Sequence, residues 1–346
     1  MSAPAAAAPA GEHGGADPAA GRRIRQVREL GILLALVLLV AATTAYNPNF
    51  LSGQNIRDLL LGATLLTILA VGQSMVLITR NVDLSVGSVL GLSAFAVGTL
   101  FVSLPGLPLP VVALAGVLVG TVCGVVNGVL VAAARVPALV VTLGTLYMFR
   151  GVDYWWASGR QINAADMPAA FLGLGRTTVL GIPVPALIAL AVVLAAGWYL
   201  GSYRSGRELY AVGSEPNAAR LSGIPVDRRV FLPFVVNGAL AGLAGVLYAA
   251  RFGTLDATVG TGLELEVVAA AVVGGVAIFG GSGTVYGAAL GALLLTTIGA
   301  ALPMLRIDSF WQQAVVGLLI LVAIGLDRLL AVRTARRLRG GGSHGA

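Results

Sequence analysis

Apolar residues run through this chain in blocks separated by short stretches where charge, glycine or proline collects. A hydrocarbon core of ~30 Å takes about 20 residues of α-helix. At that length the blocks predict ten helical spans. They lie at roughly 30–46, 56–79, 84–103, 110–134, 137–157, 183–200, 230–250, 263–279, 284–304 and 311–331. Several spans are short or broken by Gly and Pro, so their freed backbone groups need the shelter of other helices or a cavity. The pattern predicts an all-α integral membrane protein in three parts. These are a disordered tail over 1–29, a membrane domain over 30–331 and a basic tail over 332–346. Arg22, Arg23, Arg25 and Arg28 before the first apolar run also have the outline of a signal peptide. The length of that run, and the membranous chain beyond it, favour an uncleaved first span.

Composition removes the soluble alternatives. Of the 346 residues, 57% are hydrophobic and 11% charged, against about 25% charged in an ordinary globular protein. The net charge of +7 raises the question of nucleic acid. Its distribution answers it. With both ends on the cytoplasmic side, only Arg57, Arg150, Arg160, Arg176, Arg251 and Arg306 face outward, and the other sixteen arginines face inward. Arginine in short loops orients a membrane protein. The charge is therefore read as topology in a multi-pass membrane protein, and no nucleic-acid partner is expected.

All 22 basic residues are arginine. Without lysine there is no P-loop for ATP and no Schiff base. Cys123 is the only cysteine, and His13 and His344 lie in polar ends, so no metal site or resident cofactor is expected. Glu264 and Glu266, two residues apart at the outer end of a span, read as solvated interfacial groups. Arg150 and Asp153, three apart, read as an ion pair. No lone carboxylate is expected at mid-span. No catalytic residue is proposed, and transport remains.

Three groups of residues carry that reading. The first is Arg80 to Ser88 between the second and third spans, a tight turn at the inner face. There Asp83 is suited to cap the third span, with Leu84, Ser85, Gly87 and Ser88 as a gate or partner contact in the alternative. The second is the interior loop 201–229. Ser214, Glu215 and Pro216 start a mini-helix there, Asn217 to Leu221 form it, and Gly223 with Pro225 stops it. Its small face of Ala218, Ala219 and Leu221 suits a partner's groove. The third is a set of uncharged polar residues within spans, Gln73, Asn127, Thr142 and Asn237. Interhelical hydrogen bonding is the plainer account of these, and a pathway for a neutral polyol is the functional one. Glycines at intervals of four, Gly116 to Gly128 and Gly283 to Gly291, predict closely packed helices.

The second group also carries a resemblance. Gly213 to Ile224 is similar to the coupling-helix motif G-x-N-x-x-A-A-R-x-S-G-I of ABC-importer permeases. Asn81 to Ser88 resembles the I-D-L-S-V-G-S hallmark of the ribose/xylose/galactose-type branch. Asn127-Gly128, Pro137 to Thr145, Gly280 to Gly287, and Ser309 to Gln313 followed by Gly317 fall in the same family's order. Ser214-Glu215-Pro216 departs from the usual start of the coupling motif.

The resemblance implies a type II importer-like bundle working as two permease chains, with a homodimer expected. It implies a cytoplasmic ABC ATPase subunit, which holds ATP and Mg and docks on Gly213, Glu215, Asn217, Ala218, Ala219, Arg220, Leu221, Ser222 and Gly223. It also implies an extracytoplasmic sugar-binding protein as donor. A same-superfamily permease for branched-chain amino acids or nucleosides is the nearer alternative, and an ion-coupled secondary transporter the more distant one.

Overall fold

A computed structural model describes residues 18–308, 310–319, 321, 322 and 325. The structure is helical, in the order α1 Pro18–Tyr46, α2 Gly53–Ile78, α3 Val86–Ser103, α4 Leu109–Gly128, α5 Ala138–Ala157, α6 Ala169–Leu174, α7 Val184–Ser202, α8 Arg204–Ser214, α9 Pro216–Leu221, α10 Val226–Phe252, α11 Leu263–Val273 and α12 Val285–Met304. A two-residue hairpin joins Thr178–Val179 to Ile182–Pro183. Among the described residues, seven helices are long and apolar enough to cross a bilayer. They are α1 from Glu29, α2, α3, α4 with its π turn to Ala133, α7, α10 and α12. Helix α5 has the length, but Arg150 and Asp153 lower its apolarity.

Two expectations are corrected here. The chain is helical from Pro18 rather than irregular up to residue 29, in keeping with the good helix formers Ala and Arg at its start. The segment read as a span over 263–279 contains only the eleven-residue α11, about 16 Å long and too short to cross. Ahead of it, residues 253–262 run down the side of α3 in non-helical form. A β-carbon on Gly98 would meet Leu255, one on Gly91 the Val259 carbonyl, and one on Gly87 the Gly260 carbonyl. The Arg150 guanidinium holds this segment by donating to the carbonyls of Ala257 (2.8 Å) and Val259 (2.6 Å). Its link to Asp153 is looser, at 3.9 Å.

Glycine spacing becomes backbone contact. A β-carbon on Gly120 would meet the Gly238 carbonyl and the Gly242 nitrogen, and one on Gly124 would meet the Phe234 carbonyl. Helices α4 and α10 therefore touch main chain to main chain. Lipid gives apolar helices no reason to associate, so this close packing supplies the attraction. Helix α10 is the centre of the bundle, packed on α2, α3 and α4, with α12 and α11 on the far side of α2. The tails over 1–17 and 332–346, Ser309, and the last predicted span beyond residue 325 lie outside the described residues.

Candidate functional site

One end of the bundle carries α9, the expected mini-helix, and ahead of it α8, in a stretch expected to be loop. Helix α8 is tied to the start of α10 through Glu208, which accepts from Arg204 (2.7 Å) and Arg229 (2.6 Å). Hydrogen bonding from Arg229, with Arg204 adding to it, holds the Glu208 carboxyl below the usual carboxylate range. A depressed pKa contributes stability that is whole at neutral pH and declines as pH falls from the unfolded value of about 4.3 through the folded one. Glu208→Gln is therefore expected to lower the melting temperature of the purified protein at pH 7. The gap to the wild type should close below about pH 4, and a gap independent of pH would refute this account.

The end of α8 is pressed onto the end of α2. Gly213 admits no side chain, because a β-carbon there would overlap the Ile78 carbonyl oxygen. Arg80 donates to the carbonyls of Gly213 and Ser214, and the Gly281 amide donates to Ile78 (2.9 Å). The glycine turn after α11 thus reaches the same end of the bundle. The cap of α9 is Glu215, accepting from the Asn217 amide (3.3 Å), rather than Ser214. Pro216 takes the first helical position, where its missing N–H costs nothing. Gly223, at φ 78°, makes the left-handed stop.

The faces of α9 divide differently from the expected small-residue face. Ala219 is buried in a cluster with Val212 and Val226, so it belongs to the loop's own core. Leu221 is 91% exposed, flanked by exposed Asn217, Ala218 and Ser222. Arg220 is also exposed and pairs with Asp227 (3.2 Å).

The first and third predicted groups prove to be one site. Asp83 does not cap α3. The helix begins at Val86 with no side-chain cap, and Asp83 lies 2% exposed among the helices. Its Oδ1 accepts from the Ser85 amide (2.9 Å), the Ser85 hydroxyl (2.7 Å) and Asn127 (3.4 Å). Asn237 donates to Oδ2 (3.0 Å). The Gln73 amide, turned to match, donates to the Asp83 carbonyl (3.1 Å) and accepts from its N–H (3.2 Å). The Thr142 hydroxyl is shared between the Ala138 carbonyl of its own helix (2.9 Å) and the Val82 carbonyl beside Asp83 (3.2 Å). Side chains from α2, α4, α5 and α10 so converge on the break between α2 and α3, and the expected helix cap is instead a buried carboxylate that joins four helices.

Gln73, Asn127, Thr142 and Asn237 are all fully buried. Leu84 is half-buried, and Ser88 closes the first turn of α3 by donating to the Ser85 carbonyl (2.8 Å). Gly87 lets Gly260 and Glu264 approach that turn, with Glu264 Oε2 2.6 Å from where a β-carbon would stand. Glu264 and Glu266 therefore start a helix beside the head of α3, not at the end of a span.

At the opposite end lies a cavity of about 440 Å³ that the sequence reading missed. Along α2 its lining runs from Asn55 to Leu69, about 21 Å of helix. Tyr248 and Arg251 of α10, Glu266 of α11, Thr296 of α12 and Gln312 complete its polar wall. The only signal in sequence was the short eighth apolar block, since interrupted segments mark transporter sites. Three further cavities, beside Ala189, Cys123 and Val236, are lined almost wholly by apolar residues.

This architecture is that of a helical protein built to cross a membrane several times. The family model of the permease component of branched-chain amino acid transport systems matches residues 55–324. The autoinducer 2 import system permease protein LsrC of Enterobacter sp. (strain 638) is 38% identical over 312 residues, covering 90% of each chain. That of Salmonella paratyphi B is 39% identical over 316 residues, 91% of this chain and 90% of its own. That of Escherichia coli K12 is 37% identical over 316 residues, covering 91% of each. No solved structure matches.

The chain belongs to this family of ABC-importer permeases. It is a multi-pass subunit of the inner membrane and not an enzyme.

Proposed function

We propose that the substrate is a sugar or a sugar-derived polyol. The observation that carries this reading is the 37–39% identity to permeases named for autoinducer 2 import, over nine-tenths of the chain. In this reading the chain crosses the membrane ten times with both ends inside. Helix α5, the composite 253–283 and the segment from 311 supply the crossings beyond the seven long apolar helices. The α9 end faces the cytoplasm, where an ABC ATPase holding ATP and Mg docks on the exposed edge of α9. A sugar-binding protein delivers substrate to the opposite end. Two copies of the chain form the pathway. The aliphatic faces of α1 (Leu34, Leu38) and α4 (Leu114, Leu118, Val122), which are exposed, meet lipid.

Cells expressing the permease with its ATPase and binding protein should take up labelled ribose or autoinducer 2. That uptake should require ATP and survive proton and sodium ionophores. Uptake of leucine with neither sugar would overturn the sugar reading and favour the amino-acid alternative.

A further inference from the structure

We propose that the cavity opposite the α9 end is a substrate site that receives a neutral polyol from outside, through Asn55, Asp58, Arg251, Glu266, Thr296 and Gln312. The inference rests on the sugar reading and adds where the sugar is first held.

Three observations carry it. The first is the company of charge and amide groups. In a chain only 11% charged, one cavity gathers two carboxylates, a guanidinium and two amides on three helices and the segment after α12. Interfacial solvation would scatter such groups around the rim. Here Asp58 stands exposed at the mouth, Asn55, Arg251, Glu266 and Gln312 are half-buried, and the lining continues past Gly62 to Leu69, well inside the bundle.

The second is the backbone. The non-helical segment 253–262 carries the chain down α3, so α11 begins within the bundle and its Leu263 and Glu266 line the cavity. Irregular backbone at membrane depth is tolerated where it is buried in protein or lines a cavity. Discontinuous helices of this kind build the binding sites of other transporters.

The third is the chemistry of the wall. Planar carboxylate and amide groups pair with hydroxyls in both directions, and Tyr248 and Phe252 add ring surface beside them. Arg251 is already committed, donating to the Leu61 carbonyl (2.6 Å) and lying over the Phe252 ring at 4.7 Å. Asp58 accepts from Gln54 (3.1 Å), and among the described residues neither it nor Glu266 is in a salt bridge, which suits hydroxyl groups better than the carboxylate of an amino acid. The cavity volume of about 440 Å³ falls in the range of small-molecule sites, about 300–1,000 Å³.

The single cysteine makes a direct test practical. Cys123 is 5% exposed beside an apolar gap, and Cys123→Ala gives a thiol-free chain that should transport normally. In that background Ala300→Cys, in the cavity wall, should react in spheroplasts with a membrane-impermeant sulfonated thiol reagent. Saturating ribose or autoinducer 2, whichever the wild type imports, should slow the reaction about threefold or more. Ala300→Phe, which fills the cavity, should lower uptake about tenfold or more, and the isosteric Glu266→Gln should raise KM about tenfold at unchanged membrane level.

Absence of labelling overturns the proposal, as does labelling unaffected by sugar together with unchanged KM in Glu266→Gln. Both leave sugar import by the wild type standing. Import of leucine and no sugar by the wild type overturns the substrate reading itself, and the polyol assignment of the cavity with it.

Discussion

Asp83→Ala should leave almost no folded permease in the membrane. The substitution strands the Ser85 amide and hydroxyl and the Asn237 amide in a fully buried site, while Asn127 keeps only its bond to the Ser85 hydroxyl (2.8 Å). Each buried donor left unpaired costs about 1–3 kcal/mol. Several at once rival the ~5–15 kcal/mol that holds a typical domain together. Asp83→Asn keeps the shape and one acceptor, so it should accumulate and melt between the alanine variant and the wild type. Size-exclusion profiles and melting curves of detergent-extracted protein test both. An alanine variant that accumulates and melts like the wild type would show that the helices do not depend on this carboxylate.

Leu221→Asp should do the opposite, sparing the fold and removing transport. Leu221 is 91% exposed, so its loss removes no packing within the chain. As the apolar tip of α9 it has the character of an anchor in a partner's pocket, a position worth about 2 kcal/mol or more. Uptake should fall about thirtyfold with the permease present at wild-type level. Ala219→Trp, into the cluster with Val212 and Val226, should instead lower the melting temperature. Uptake unchanged in Leu221→Asp would refute the proposed docking of an ATPase on the exposed edge of α9.

The helices were legible because apolar length sets a span directly, and the arginine placement fixed the expected orientation. The end signals of α9 were nearly legible. Glu, Pro and Gly stand at the right spacing, and the cap moved by one residue because a glutamate side chain can reach the amide two residues on. The role of Asp83 was not legible. A carboxylate just before an apolar run reads as a cap when only neighbours in sequence are known. Its partners Asn127 and Asn237 are 44 and 154 residues away. The cavity was hidden for a related reason. Its polar residues come one or two per helix, and each alone reads as a solvated helix end. The eighth block looked long enough because residues 274–279 are themselves mostly apolar, although glycines with positive φ at 275, 280 and 281 end the helix.

Helix α10 joins these places mechanically. It leaves the α9 loop at Val226, passes Asp83 at Asn237, and ends with Tyr248 and Arg251 in the cavity wall. Its 27 residues make a rod about 40 Å long, stiffened by backbone contact with α4. With Asn237 as the pivot, a tilt of about 10° would swing Arg251 by about 4 Å, enough to change the width of the cavity. Spin labels at 226 and 251 should then keep a fixed separation through the transport cycle while both shift against α12. In such a motion the rod would act as a lever, with the buried carboxylate as its fulcrum.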